Sequence, residues 1–129
     1  MLERRENIIL EKTEAFADRI IKMYKHILKK HSSYNDILKQ VLRSGTSIGA
    51  NIAESKFAQS RADFLTKLTI ALKEAHETEY WLKRLHTAEC LSEAEFQLLY
   101  DDNSEIIKIL VRITGTIKGD AVGSGKNNS

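Results

Sequence analysis

Apolar positions recur along most of the chain at alternating spacings of three and four residues. This period places them on one side of an α-helix, whereas a half-buried strand would alternate every second residue. Four runs of this kind are present: Ile9, Thr13, Phe16, Ile20, Met23 and Ile27; Leu38, Val41, Gly45, Ile48 and Ile52; Phe64, Leu68, Ala71, Ala75, Thr78, Leu82 and Leu85; Phe96, Leu99, Asn103, Ile106, Leu110, Ile113 and Ile117. The pattern therefore predicts four amphipathic helices.

Serine-led segments mark the beginnings of three of these helices. Residues 33–36, 60–63 and 92–95 each pair a serine with an acidic residue three positions later, which is the pattern of a capping box. With these signals the helices are predicted near residues 6–30, 34–57, 61–89 and 93–118. Because the connections between them are short, neighbouring helices must run antiparallel. The predicted fold is all-α: an antiparallel up-down-up-down four-helix bundle over residues 1–118, followed by a disordered Gly/Ser/Asn-rich tail at 119–129.

Composition agrees with this picture and narrows the function classes. The chain has 129 residues, no proline and six glycines, which suits one domain of long helices with few turns. No apolar run reaches the roughly 18 residues of a membrane span, so no membrane contact is expected. A single cysteine, Cys90, cannot form an internal disulfide, and the expected location is the cytoplasm.

Two helices are more apolar than one bundle requires. Helix 1 has a second apolar stripe beside its first, and the apolar arc of helix 4 covers about 200° of its circumference. The additional apolar side chains of helices 1 and 4 predict a homo-oligomer in which a second copy covers them. A wide core-facing side on each helix is the alternative, since it would give the same pattern of apolar residues. The interface candidates are Leu10, Ile21, Leu28, Ile107, Ile109 and Val111.

Helix 2 contains a run of small residues spaced by four. Gly45, Gly49 and Ala53 lie on one helical face, where missing side chains let a neighbouring backbone approach closely. A kink at the glycines is the other structural interpretation. The same segment matches the nucleophile-elbow pattern G-x-S-x-G around Ser47, but that motif needs a strand before it, and here the preceding residues are helical.

Polar side chains lie near the packed faces of helices 2 and 3, namely Ser47, Asn51, Glu54, Glu74, Glu77 and Thr78. A hydrogen-bonded network between helices is the preferred interpretation, because buried polar groups need partners. A carboxylate pair for acid–base catalysis is the alternative. The four histidines lack the Glu-x-x-His spacing of a di-iron bundle, and no phosphate-binding loop is present. The sequence thus predicts no catalytic residue, metal, cofactor or small-molecule substrate.

Helix 1 also has a basic stripe, comprising Lys12, Arg19, Lys22, His26 and Lys29. Basic residues along one helical face suit contacts with successive phosphates of a nucleic acid. A solvated helix face is the alternative, because Glu11, Glu14 and Asp18 lie close by.

The middle of the chain resembles a known family. Arg43, Ser47-Ile48 and Asn51-Ile52-Ala53-Glu54 match the pattern RxxxSIxxNIAE of the bacterial four-helix-bundle proteins first described in intervening sequences of 23S ribosomal RNA genes. The following segment, residues 63–82, is similar to the next helix of that family.

The resemblance implies a ring-like homopentamer that is not an enzyme. Its signature residues map to Ser47, Asn51, Ala53 and Glu54, which are interpreted as structural. A related accessory protein of diversity-generating retroelements binds nucleic acid. The prediction is a homo-oligomeric, pentameric bundle protein that acts through macromolecular interaction; the alternative is an RNA-binding accessory protein that uses helix 1.

Overall fold

Residues 4–128 are described by the computed structural model, apart from the side chains of Arg5 and of residues 120–128. Within this range the chain forms four α-helices: α1 (Arg4–Lys30), α2 (Asn35–Ser55), α3 (Arg61–Thr87) and α4 (Glu93–Asn128), with one 3-10 turn at Ser32–Tyr34. Each helix packs against the next, and α4 closes the bundle against α1, while the backbones of the diagonally opposed described helices lie farther apart. The predicted antiparallel four-helix bundle is confirmed.

The helix beginnings follow the capping signals at two of the three predicted sites. At Ser92 the capping box is complete, since the Glu95 amide donates to Ser92 Oγ (3.1 Å) and the Ser92 amide donates to Glu95 Oε1 (2.9 Å). At Ser60 the hydroxyl accepts from the Asp63 amide at 3.0 Å. The box predicted at Ser33 is wrong: α2 has Tyr34 at its N-cap, and no side chain caps it.

The end of α3 forms a Schellman motif that the sequence did not indicate. The Cys90 amide donates to the Leu85 carbonyl (2.9 Å), and the Glu89 amide donates to the His86 carbonyl (3.0 Å). This geometry requires a left-handed residue after the C-cap, a position that usually holds glycine. Here Glu89 occupies it with φ 60°.

The core is built from the predicted apolar runs. Its largest fully buried side chains are Phe16, Ile9, Ile20, Ile27, Leu38, Ile48, Ile52, Leu68, Leu82, Leu85, Ile106 and Leu110. One polar residue of the fourth run is also buried there: Asn103 donates from Nδ2 to the Ala75 carbonyl at 2.9 Å. Its Oδ1 has no hydrogen-bond partner among the described residues.

The far end of α4 overlaps the predicted tail. The bounds of α4 take in residues 119–128, while the side chains beyond 119 and all of Ser129 lie outside the described residues. The division into a bundle domain at 1–118 and a disordered tail at 119–129 stays a prediction. No helix in the described part of the chain combines the length and hydropathy that a membrane span requires.

Candidate interaction surfaces

One side of α2 lies directly against α1, and its glycines face that contact. A Cβ atom added to Gly49 would lie 3.2 Å from the backbone oxygen of Thr13. A Cβ added to Gly45 would lie 2.9 Å from Cγ1 of Ile20, a fully buried side chain. Ala53 is half-buried on the same helix, and α2 runs from Asn35 to Ser55 without a break. Gly45 and Gly49 therefore lie where α2 packs tightly against α1.

The opposite side of α2 presents a polar surface to α3. The Arg43 guanidinium reaches across the interface and forms ion pairs with Glu77 and with Glu74, at 3.1 Å from Nη1 to Oε2 of Glu74. Trp81 donates from Nε1 to the same Glu77 oxygen at 3.1 Å. The hydrogen bond to Glu77, together with both negative charges, raises the pKa of Arg43. Glu74 and Glu77, the candidate pair for acid–base catalysis, thus both form ion pairs with Arg43.

A buried hydroxyl pair lies beneath this ion-pair cluster. Thr78 Oγ1 donates to Ser44 Oγ of α2 at 2.9 Å, and both residues are fully buried. The predicted network between α2 and α3 therefore exists at Thr78, Glu74 and Glu77. Its partners on α2 are Arg43 and Ser44, which the pattern of polar positions along the sequence does not indicate.

The other polar residues of the motif bond mostly within their own helix. Ser47 Oγ donates to the Arg43 carbonyl (2.6 Å), and Asn51 Nδ2 donates to the Ser47 carbonyl (2.9 Å). Glu54 Oε2 lies 3.7 Å from Lys67 Nζ of α3. The periodicity could have identified Arg43, because it precedes Ser47 and Asn51 by one and two helical turns on the same side of α2.

The chemistry that these groups can perform is binding and positioning. The Ser47 hydroxyl donates to a carbonyl of its own helix, so no base takes its proton. Among the described residues, no three His, Cys, Asp or Glu side chains are grouped so as to hold a metal ion. Burial raises the pKa of the Cys90 thiol, which makes its thiolate scarce near neutral pH.

The six interface candidates differ widely in exposure. Leu10 is only 8% exposed, so it belongs to the core of one copy and offers almost no surface to another. Leu28, Ile107 and Ile109 are half-buried. Ile21 and Val111 are 42% and 50% exposed. They are two of seven large apolar side chains that the described residues expose: Ile8, Ile21, Phe57, Ile70, Tyr80, Leu98 and Val111.

The two exposed candidates lie on opposite sides of the bundle. Ile21 is one turn before Tyr24, whose hydroxyl donates to α2 at 3.1 Å, so Ile21 borders the α1–α2 side. Val111 lies three turns after Tyr100, whose hydroxyl donates to α3 at 3.3 Å, so it borders the α3–α4 side. Ile109 lies two turns after Asp102, which pairs with Arg19 of α1, so Ile109 borders the α1–α4 side instead. The structure therefore does not bring the candidates together into one patch.

The basic stripe of α1 is partly engaged by acidic residues of α4. Lys12 Nζ lies 2.7 Å from Glu105 Oε1, and Arg19 pairs with Asp102. Farther along, His26 Nε2 lies 3.8 Å from Glu95 Oε2. Two of the four nucleic-acid candidates, Lys12 and Arg19, are thus held in contacts that close the bundle. The other two, Lys22 and Lys29, are exposed and form no ion pair within the part of the chain that the structure describes.

Comparisons with known proteins agree with the fold and the motif. The model of the 23S rRNA-intervening sequence protein family matches residues 5–112. A crystal structure of a protein of unknown function, from the S23 ribosomal protein family of Bacteroides thetaiotaomicron, is 46% identical in sequence, with a TM-score of 0.82. The match covers 86% of this chain and 98% of that one. No curated protein matches the chain.

Proposed function

Since the chain belongs to the 23S rRNA-intervening sequence protein family, we propose that it is a non-enzymatic cytoplasmic protein that assembles with copies of itself into a closed ring, a homopentamer. The observation that carries this proposal is the placement of Ile21 and Val111 on opposite sides of one bundle, each with much of its side chain in water. A ring needs two different faces on each copy, because one face must meet the other face of the next copy.

The polar residues of the α2–α3 interface support a non-enzymatic role. Arg43 forms ion pairs with both Glu74 and Glu77 within the bundle, and Thr78 donates a hydrogen bond to Ser44 beneath them. A group held in such contacts fixes the register of two helices. The proposed activity of the protein is therefore the presentation of its outer surfaces to other macromolecules.

A pair of variants tests the ring. Ile21→Glu and Val111→Glu each place a charge on one of the two faces, so each variant alone should lose the wild-type mass in light scattering. When the two are mixed, the intact Val111 face of one meets the intact Ile21 face of the other. The expected product is a capped heterodimer, which native mass spectrometry identifies from differently tagged chains.

Two results would contradict this proposal. The first is a wild-type chain that stays a monomer at every concentration. The second is a mixture that forms no heterodimer although both variants are folded, because that result excludes a head-to-tail contact through these faces. Lys73→Glu serves as the matched control, since Lys73 is exposed on α3, a helix that carries neither Ile21 nor Val111, and its reversal should leave the mass unchanged.

A second candidate function, binding of RNA through α1, is favoured by one observation. Lys22, Lys25 and Lys29 follow one another at helical spacing, are exposed, and form no ion pair among the described residues. If they contact phosphates, the affinity for single-stranded RNA should fall steeply as salt rises, and reversal of Lys22 and Lys29 should abolish it. This role is excluded if the affinity for RNA does not change with salt concentration, or if RNA still binds after Lys22 and Lys29 are reversed.

A further inference from the structure

The outward side of α1 carries a segregated pattern of charge that no contact inside the bundle uses. Six residues form this charge stripe, at successive spacings of three or four: Glu11, Glu14, Asp18, Lys22, Lys25 and Lys29. All six are exposed. None of them forms an ion pair within the described residues, although Lys12, Arg19 and His26 beside them all pair with α4.

Two local explanations account for only part of the stripe. Acids near the beginning of a helix and bases near its end complement the helix dipole, but that effect is confined to the first and last turns. Glu14, Asp18 and Lys22 lie in the middle turns of α1 (Arg4–Lys30). Asp18 and Lys22 also have the spacing of an intrahelical pair, yet their charged atoms are too far apart in the structure to form one.

The order of the charges makes the stripe complementary to itself. When two copies of α1 run antiparallel with residue 20 of each at the centre, Glu11 of one copy lies opposite Lys29 of the other. In the same register Asp18 lies opposite Lys22, and Glu14 lies opposite residue 26, one position from Lys25. Every acid therefore meets a base, and a parallel arrangement would place like charges opposite each other.

From this complementarity we propose that the charge stripe is a docking surface for the α1 helix of a second copy of this chain, in an antiparallel and two-fold symmetric contact. Such a contact is isologous and closes at two partners, whereas a ring needs a heterologous contact. The proposal therefore goes beyond the ring proposed above: the stripe joins two chains, or two rings, face to face.

The size of the stripe determines the strength and salt dependence of this contact. Residues 11–29 span about 27 Å of helix about 10 Å wide, which gives roughly 300 Å² per copy. A stable interface of standard size uses about 800 Å² per partner. The contact is consequently weak, and it is weakened further at high salt because its six ion pairs are exposed.

Charge reversal in two complementary variants tests the proposal. The first replaces the acids (Glu11→Lys, Glu14→Lys, Asp18→Lys), and the second replaces the bases (Lys22→Glu, Lys25→Glu, Lys29→Glu). Each variant alone presents six like charges, and its antiparallel association in low salt should weaken at least about tenfold relative to wild type. An equimolar mixture presents an all-basic stripe to an all-acidic one and should regain association. Analytical ultracentrifugation up to millimolar protein measures both.

A matched control separates this effect from net charge. Lys39→Glu, Lys56→Glu and Lys73→Glu reverse three exposed lysines outside α1 that form no ion pair within the described residues. This control should associate as the wild type does. Circular dichroism establishes that each variant retains its helices.

The results that overturn the proposal are distinct from those that overturn the ring or the RNA contact. Association that persists in either variant alone, or that fails to return in the mixture, overturns it, as does a wild-type chain with no salt-sensitive association. The ring rests on Ile21 and Val111, and it is tested by the Ile21→Glu and Val111→Glu pair, which leaves all six residues of the charge stripe in place. An RNA contact would be strengthened by reversal of the acids, whereas the contact between copies would be lost.

Discussion

At the scale of single residues, Gly45 and Gly49 are the two described glycines at which an added Cβ would meet atoms of α1. At Gly49 the nearest atom to an added Cβ belongs to the backbone of Thr13, and a helix backbone cannot move aside as a side chain can. At Gly45 the nearest atoms belong to the Ile20 side chain, which is fully buried and has little room to turn. The two glycines thus set how closely α1 and α2 approach.

We expect Gly49→Ala to destabilise the fold by about 1–2 kcal/mol. Overpacking costs about 1–3 kcal/mol, and the better helix propensity of alanine offsets at most about 1 kcal/mol of it. Gly115→Ala is the matched control, because nothing lies within 4 Å of its added Cβ. The control should gain up to about 1 kcal/mol from propensity alone. Chemical denaturation measures both changes, and equal effects at the two positions would disprove a close approach at Gly49.

The two glycines were predictable because their spacing of four is visible in the sequence. The left-handed conformation of Glu89 was not, because no glycine marks its position. A left-handed residue after a helix is usually recognisable as glycine. At the end of α3 the position holds a glutamate in that conformation instead. The two backbone hydrogen bonds of the Schellman motif hold it there, and such bonds depend on geometry rather than on residue type.

At the scale of helices, the capping serines determine where α3 and α4 begin, while α2 begins differently. Ser60 has an extended backbone, from which its hydroxyl reaches the Asp63 amide. Ser33 lies inside a 3-10 turn that leads straight into α2, so its hydroxyl has no extended position from which to turn back. A serine and an acid at the right spacing are therefore not sufficient to form a cap.

The capping box of α4 makes part of the stability depend on pH. The backbone hydrogen bond from Ser92 lowers the pKa of Glu95, and His26 and Lys30 act in the same direction. A carboxyl whose pKa is lower in the folded chain stabilises the fold above its unfolded pKa of about 4.3, and this contribution is lost as pH falls through the folded value. The contribution is therefore complete near neutral pH and absent in strong acid.

We expect Glu95→Gln to be less stable than wild type at neutral pH and equally stable in strong acid. Glutamine keeps a hydrogen-bonding side chain at this capping position but removes the negative charge. The comparison is best made in a His26→Gln background, which removes the contact between His26 and Glu95. Urea denaturation across the acidic range gives the difference in unfolding free energy, and a constant difference would show that the charge has no role.

At the scale of the whole molecule, the antiparallel arrangement of the helices was predictable from the sequence. Which apolar residues lie on the outer faces of the bundle was not. Short connections require neighbouring helices to be antiparallel, and the four helices obey this. Leu10 was expected at an outer face, but α1 lies between α2 and α4, and its buried arc is therefore wider than one stripe. The apolar pattern shows which side chains avoid water without showing which neighbour covers them.

At the α2–α3 interface, too, the sequence pattern predicted which residues lie near the packed face but not which residues they contact. The sequence identified Glu74, Glu77 and Thr78 as polar residues near a packed face. It did not identify Arg43 and Ser44 as their partners, because a helical period gives the direction of a side chain but not its reach across an interface. The helical period places Arg43 on the same side of α2 as Ser47 and Asn51, but its pairing with Glu74 and Glu77 depends on the separation and register of α2 and α3. The contact of Ser44 with Thr78 depends on the same separation and register.

The ion pairs between α1 and α4 have a consequence for how the bundle folds. This interface is the smallest of the four, and it joins the two helices that are farthest apart along the chain. Contacts between consecutive helices close short loops, which costs little chain entropy, whereas the first and last helices close the longest loop. We therefore expect α1 and α4 to dock last, after the other contacts have formed. Lys12, Arg19 and His26 would then act late, by selecting the register in which the finished bundle closes.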